Sequence, residues 1–362
     1  MTSRIAALQA YLERNQLDAI LITQPKHIYY LTGLATDPHE RFLGLVLSRT
    51  AEPLLIVPAL DEEAARAADG VRHIVTHTDT QDPHSILKKQ LPSTVSRLGL
   101  EKSHLTVNRY EAIAEAVGAA AYIDVDEPLR EMRLVKSADE IASMKKAVRI
   151  IEDVLRAGLK HVKPGVTEIE LVAELEYQMK KLGSDGPSFD TMVLAGEKSA
   201  LPHGDPGTRE VRNGELLLFD IGVYADGYAS DITRTFAVGD ISDELKRIYD
   251  TVLQANKRAI DAVKPGVTYA SVDQAARGYI TSKGFGPQFM HRLGHGLGLD
   301  VHEYPSVHGA NLELLQEGAT FTIEPGIYVP GLGGVRIEDD VWVTALGVEV
   351  LTSFSKELTV IG

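Results

Sequence analysis

The pentapeptide Lys-Pro-Gly-Val-Thr stands twice in this chain, at 163–167 and at 264–268, and its surroundings repeat with it. Before each copy runs an amphipathic helical pattern: Ile141, Met144, Val148, Ile151, Leu155 and Leu159 in the first, Leu245, Ile248, Val252, Ala259 and Val263 in the second. After each copy another helix start is signalled, by the capping box Thr167-x-x-Glu170 and by Thr268. Each half then reaches a hairpin bearing two acids, Asp220 with Asp231 and Glu324 with Glu338. Thr167 and Asp220 lie 53 residues apart, Thr268 and Glu324 56. A five-residue echo arises by chance, but a matching order at matching distances marks an internal repeat. The expected C-terminal domain is α+β, two αα-ββ halves facing each other across a pseudo-twofold axis.

Upstream the pattern changes. Short apolar strands at 19–23, 42–48, 54–57 and 73–76 alternate with helical stretches at 1–16, 61–68 and 109–120, which is the signature of an α/β domain. Pro128, the mixed charge around it and the Ser137-x-x-Glu140 capping box mark a junction, giving expected domains 1–127 and 128–362. A length of 362 residues suits two domains. The net charge of −14 argues against nucleic acid and anionic membranes as partners. With no cysteine there is no thiolate metal site, thiol nucleophile or disulfide. Neither a signal-peptide core nor a run of about 18 apolar residues occurs, so a cytoplasmic protein is expected.

The acids carry the chemistry. A two-residue turn at Asp226-Gly227 sets Gly222 opposite Asp231 and makes Asp220 and Asp231 diagonal neighbours on one sheet face. In the second hairpin a five-residue loop, Pro330 to Gly334, sets Gly326 opposite Glu338, so that Glu324 and Glu338 are again diagonal and Arg336 shares their face. Asp339 and Asp340 adjoin Glu338, and strand alternation alone leaves Glu338 and Asp340 as alternatives. Converging buried carboxylates repel unless a cation lies among them. Oxygen-rich sites suit Mn²⁺, and one imidazole extends the choice to Co²⁺, Fe²⁺ or Zn²⁺. Four negative charges balance two divalent ions, which predicts a dinuclear hydrolase.

The imidazole has an obvious source in HRLGHGLGLDVHE, 291–303. His291 and His295 have the spacing of a helical zinc pair, but Gly294, Gly296 and Gly298 would each cost a helix about 1 kcal/mol. No Lys-Ser/Thr follows to make a phosphate loop. The stretch reads as irregular backbone packed closely, with its histidines turned inward.

Taken together, HRLGHGLGLDVHE, TIEPGIY, GGVRIEDD, LPHGDP and the Asp-x10-Asp hairpin resemble the pita-bread metallopeptidases, family M24, in the branch of Xaa-Pro dipeptidases (prolidases) and Xaa-Pro aminopeptidases. PKHIYYLTG, 25–33, is similar to the Pro-x-Asn-x-x-Tyr-Leu-Thr/Ser-Gly segment of the creatinase/prolidase N-terminal domain, with His27 where Asn is usual. The resemblance implies Asp220, Asp231, His295, Glu324 and Glu338 as ligands of two divalent ions, Mn²⁺ foremost and Co²⁺ or Zn²⁺ as alternatives. Asp231 and Glu338 would bridge them, which selects Glu338 over Asp340. Glu324 would double as proton shuttle, His302 would steady the tetrahedral intermediate, and His203 would lie near the scissile peptide. His291 would lie by the prime-side residue, and Arg336 would brace the bridging carboxylates. The glycines of 291–303 would then lie against the metal site and the bound peptide.

The implied substrate is a small peptide with proline second, and the implied assembly a homodimer formed through the N-terminal domain. In that domain Asp37, Glu40 or Arg41 of loop 34–42 is a candidate to meet a substrate terminus. Methionine aminopeptidases usually lack the N-terminal domain, creatinases depart from the ligand set, and the non-catalytic peptide-binding members have lost ligands. The short chain favours a dipeptidase over an Xaa-Pro aminopeptidase.

Overall fold

The computed structural model describes residues 2–49, 51–68 and 70–362, so Met1 of the expected N-terminal helix lies outside the described residues. The chain divides into two compact units, Met1–Arg133 and Leu134–Gly362, and the boundary expected at 127/128 falls within a helix, Asp126–Leu134.

The first unit is a six-stranded mixed sheet built from β1 (Ala19–Ile22), β2 (Gly44–Ser48), β3 (Leu54–Pro58), β4 (His73–His77), β5 (Arg97–Leu100) and β6 (Ala121–Asp124), in the order β4-β3-β2-β1-β5-β6. Four of these correspond to the strands expected; β5 and β6 are short, and their sequences carry Gly99 and Asp124 rather than an unbroken apolar run. PKHIYYLT forms a helix, Pro25–Thr32, with proline in its first turn and Gly33 as a left-handed cap, φ 81°. His27 is satisfied on both ring nitrogens: Nδ1 meets the fully buried Glu101, and Nε2 accepts from Arg133 Nη1 at 2.9 Å. The unusual residue of this segment thus builds a buried Glu101–His27–Arg133 chain. In the loop, Arg41 pairs with Asp79 at 2.8 Å.

The second unit carries the repeat. Its first half comprises α1 (Ala138–Gly158), α2 (Glu168–Lys181), β7 (Met192–Ala195), β8 (Glu215–Ile221) and β9 (Ile232–Val238); its second comprises α3 (Asp243–Ala262), α4 (Tyr269–Ser282), β10 (Gly294–Gly296), β11 (Thr320–Ile323) and β12 (Asp339–Thr344). Strand order is β7-β8-β9 in one sheet and β10-β11-β12 in the other. The capping boxes at Ser137/Glu140 and Thr167/Glu170 form, and Thr268 caps α4. The repeated motif makes the same backbone bonds twice. Gly165 N donates to Val211 O and Gly266 N to Leu315 O, both at 2.9 Å, while Glu168 N donates to Arg209 O at 3.0 Å and Tyr269 N to Glu313 O at 3.1 Å.

Each half has its own helix-facing core. Leu217, Phe219 and Ile221 of β8 pack with Ile151, Leu155, Leu171 and Leu175, whereas Phe321 and Ile323 of β11 pack with Ile248, Val252, Val272 and Ala276. Because successive strand residues point to opposite faces, Asp220, Thr322 and Glu324 are directed to the faces without helices. The two sheets therefore present their acids toward each other.

Candidate active site

The first hairpin has the expected register. Thr233 pairs with Asp220 and Ala225 with Tyr228, with Asp226 at φ 50° and Gly227 at φ 76°, the two left-handed residues of a tight hairpin turn. The second hairpin differs from expectation by two residues. Val329 pairs with Gly333, and Leu332 N donates back to Val329 O at 3.0 Å around Pro330-Gly331, with Gly331 at φ 77°. Proline followed by a left-handed glycine makes a tight turn inside the stretch read as an open loop. Gly326 consequently pairs with Arg336, and the same register, continued by Ile323 with Asp339, sets Glu324 directly across from Glu338 instead of diagonally. Pro325 interrupts the ladder between these strands.

The five residues expected as ligands come together at a cavity of about 520 Å³ lined by Asp220, Asp231, His295, Glu324 and Glu338. His203, His291, His302 and Arg336 line it too. Asp231, His295 and Glu338 are all buried, with one donor atom from each lying within 4.8 Å of the others. The two halves are stitched at this point: Glu338 N donates to Thr233 O at 3.1 Å, and Thr233 Oγ1 donates to Glu338 Oε2 at 2.7 Å and to Asp220 Oδ1 at 3.0 Å. One hydroxyl proton serves two carboxylates there. Arg336 holds the same group, with Nε donating to Thr233 Oγ1 at 3.0 Å and Nη2 to Asp220.

His295 identifies what these acids need. Its Nδ1 lies 3.1 Å from Gly296 O, a carbonyl that can only accept, so Nδ1 carries the proton. Burial pushes the ring down to about 3, which keeps it neutral and leaves a lone pair on Nε2. That lone pair faces Glu324 Oε1 at 3.4 Å and Asp231 Oδ2 at 3.7 Å. Acceptor thus faces acceptor, an arrangement that a cation turns from repulsive to attractive.

The carboxylates agree. Burial, reinforced by one another's charge, drives Asp231 and Glu338 well above the usual carboxylate range and Glu324 up to about 7. Asp231 Oδ1 and Glu338 Oε1 are buried without a hydrogen bond. Carboxylate oxygens and one neutral imidazole with its other nitrogen fixed by a carbonyl form the donor set a divalent ion takes. The residues fit a metal centre.

Around this group, His302 stacks edge-on to His295 with ring centres 4.0 Å apart, and burial lowers its pKa. His291 is pushed down to about 4 by burial; its Nε2 lies 3.0 Å from Tyr328 OH, which accepts from Arg336 Nη1 at 2.9 Å. His203 is exposed at the cavity wall. Sequence reasoning overlooked Thr233 and Tyr328, and it named Asp340 only as an alternative to Glu338. Period-two counting from Asp231, Glu324 and Glu338 reaches all three, since residues two and four apart share a strand face. Asp340 is buried and accepts from Asp231 N at 3.1 Å. The glycines also differ from expectation. A Cβ on Gly294 would collide with the Thr322 carbonyl and one on Gly296 with the Tyr304 carbonyl, so they admit neighbouring strands rather than a ligand.

Comparison with known proteins gives the lineage. Residues 142–345 match the model of metallopeptidase family M24, and residues 4–135 match that of the creatinase/prolidase N-terminal domain. The chain belongs to metallopeptidase family M24. It is 44% identical over 362 residues to YkvY of Bacillus subtilis (strain 168), covering 99% of this chain and all of that one. Among solved structures it is similar to the Xaa-Pro dipeptidase from Bacillus anthracis, with TM-score 0.93, 37% identity and 99% of both chains covered. It is equally similar in fold to the prolidase from Pyrococcus horikoshii OT3, with TM-score 0.93, 34% identity, and 98% and 99% covered. A third likeness is to the X-Pro aminopeptidase from Thermotoga maritima MSB8, with TM-score 0.89, 34% identity, and 97% and 100% covered. Chain length therefore does not separate dipeptidase from aminopeptidase. The facing αα-ββ halves are the pita-bread fold of this metallopeptidase family, preceded by its creatinase-type N-terminal unit. Among the described residues no helix is long and apolar enough to cross a membrane.

Proposed function

We propose that the protein hydrolyses the peptide bond before proline, with Xaa-Pro dipeptides as its substrates. The unprotonated Nε2 of His295, fixed by its Nδ1 bond to Gly296 O and aimed at the buried carboxyl groups of Asp231 and Glu324, is the observation that carries the metal-dependent part of this reading. The names of the Bacillus anthracis and Pyrococcus horikoshii structures support the substrate. Asp220, Asp231, His295, Glu324 and Glu338 would hold two divalent ions, Mn²⁺ by preference. Bound there, such ions supply an activated water and polarise the scissile carbonyl.

The chain's own groups do the rest. Glu324, which lines the cavity just beyond the end of β11, is placed to take a proton from water and return it to the leaving nitrogen. Its Oε1 is engaged by Thr322 Oγ1 at 3.3 Å, which leaves Oε2 for the transfer. His302, kept neutral by burial, donates to the developing oxyanion, and His203 lies at the cavity wall by the scissile peptide. His291 is fixed by Tyr328 toward the prime side, while Arg336 braces Asp220 and Thr233. The proposal extends to a cytoplasmic homodimer acting on small peptides, in keeping with the acidic charge.

The X-Pro aminopeptidase from Thermotoga maritima supports a second reading, cleavage of longer peptides. Chromatography of Mn²⁺-loaded digests separates the two. The expected result is a kcat/KM for Ala-Pro at least about tenfold above that for Ala-Pro-Ala, about 1.4 kcal/mol. Equal rates point to the aminopeptidase, and cleavage of neither peptide by the loaded protein overturns both.

A further inference from the structure

Behind the carboxylates, on the opposite face of both acid-bearing sheets, lies a second polar cluster that the chemistry above leaves unused. Strand alternation directs Asp231 and Thr233 to the cavity but Arg234 to the back with Ile232 and Phe236, and it separates Glu338 from Asp339 in the same way. Arg234 is 1% exposed and Asp339 fully buried. Arg234 Nη2 donates to Asp339 Oδ1 at 2.9 Å, and its Nη1 donates to the backbone carbonyl of Glu338.

The buried Asn256 of α3 completes the cluster. Its Nδ2 donates to Ile323 O and Ile337 O, each at 3.2 Å, and to Asp339 Oδ2 at 3.0 Å. Lys356 Nζ closes the ring with bonds to Asn256 Oδ1 at 2.9 Å and Asp339 Oδ2 at 2.8 Å.

The two carbonyls that Asn256 holds are those immediately before Glu324 and Glu338. The ladder stops there: β11 ends at Ile323, β12 begins at Asp339, and Pro325 has no N–H. Ile337 O faces Pro325 in the register and so lacks a ladder donor; the Asn256 amide supplies one there, adds a bond to Ile323 O, and ties together the peptide groups from which the facing acids project. Stability alone does not call for this device. Buried charges cost several kcal/mol to desolvate, and apolar side chains of similar volume commonly serve as well or better.

We propose that Asn256 and Arg234 are positioning residues that, through the backbone of Ile323, Ile337 and Glu338, set the spacing of Glu324 and Glu338 and so the affinity of the centre for its second divalent ion. This rests on the metal-centre reading above.

Calorimetric titration of the metal-stripped full chain with MnCl₂ tests it. Asn256→Leu is expected to weaken binding of one of the two ions by about 10–100-fold, the range seen when groups that orient ligands are lost. Arg234→Met is expected to act in the same direction; should it fail to fold, Asn256→Leu carries the test. Ile260→Ala, a core truncation on the same helix that breaks none of these bonds, is expected to lower the urea midpoint without changing Mn²⁺ affinity. Unchanged Mn²⁺ binding in Asn256→Leu overturns the proposal, as does an equal loss in Ile260→Ala. Wild-type protein that takes up no Mn²⁺ overturns the metal-centre reading and this inference with it, an outcome distinct from the other two.

Discussion

The two halves of the C-terminal unit share one plan and part company on the strand beside the acids. Asp220 pairs with Met192, and Glu324 N bonds Leu293 O, so Leu194 in the first half corresponds to His295 in the second. Its neighbours correspond as well, Val193 to Gly294 and Ala195 to Gly296. The first half fills this strand with buried apolar side chains; the second strips the flanking positions bare so that adjacent backbones close in around a histidine. Duplication thus provides the carboxylates twice and the imidazole once. The asymmetry admits a neutral nitrogen donor into a site that would otherwise be all oxygen, which broadens the ions it suits.

The comparison can be broken at several points. If the carboxylates of the two halves are equivalent, Asp231→Asn and Glu338→Gln should each lower kcat/KM for Ala-Pro by at least about 1,000-fold, about 4 kcal/mol, with the circular dichroism spectrum retained. A variant in one half that keeps most of its activity would make the symmetry nominal. His295→Leu gives the second half the residue of the first. Mn²⁺ should then bind about 10–100-fold more weakly, and Zn²⁺ and Co²⁺ should lose more than Mn²⁺ in competition titrations.

Gly296→Ala likewise copies Ala195, and the added methyl meets the Tyr304 carbonyl. Overpacking of this kind should cost about 1–3 kcal/mol in urea unfolding of the metal-stripped protein, against about 1 kcal/mol or less for Ala195→Gly. The shared centre also predicts a pH dependence. Asp231, Glu338 and Glu324 hold protons above the usual carboxylate range because they are buried together, Glu324 up to about 7. Metal binding must displace those protons, so Mn²⁺ affinity should rise with pH from about 4.5 through 7, by at most about tenfold per unit for each proton released. His295, neutral above about 3, contributes nothing to that exchange. A flat profile would show that the acids are already ionised.

How much of this was legible beforehand follows the same division. In the first hairpin Asp226-Gly227 announces its turn, and counting outward gives the observed register. In the second, Pro330-Gly331 sits among further glycines, and reading the whole stretch as loop displaces the register by two, leaving the right acids on the right face but opposite the wrong partners. The glycines around His295 were visible as a requirement for close approach, but what approaches comes from Thr322 and Tyr304, which only the sheet brings near. Asn256, Arg234 and Lys356 were invisible for another reason: each looks like an ordinary helix or strand residue until the fold gathers them behind the acids.

The central claim is that the acids of both halves and His295 form one centre for two ions. Mass-spectrometric metal analysis of the Mn²⁺-equilibrated, desalted protein addresses it most directly. The account predicts two Mn²⁺ per chain in the wild type and one or none in Asp231→Asn; a wild type without Mn²⁺, or two ions retained in Asp231→Asn, would contradict it.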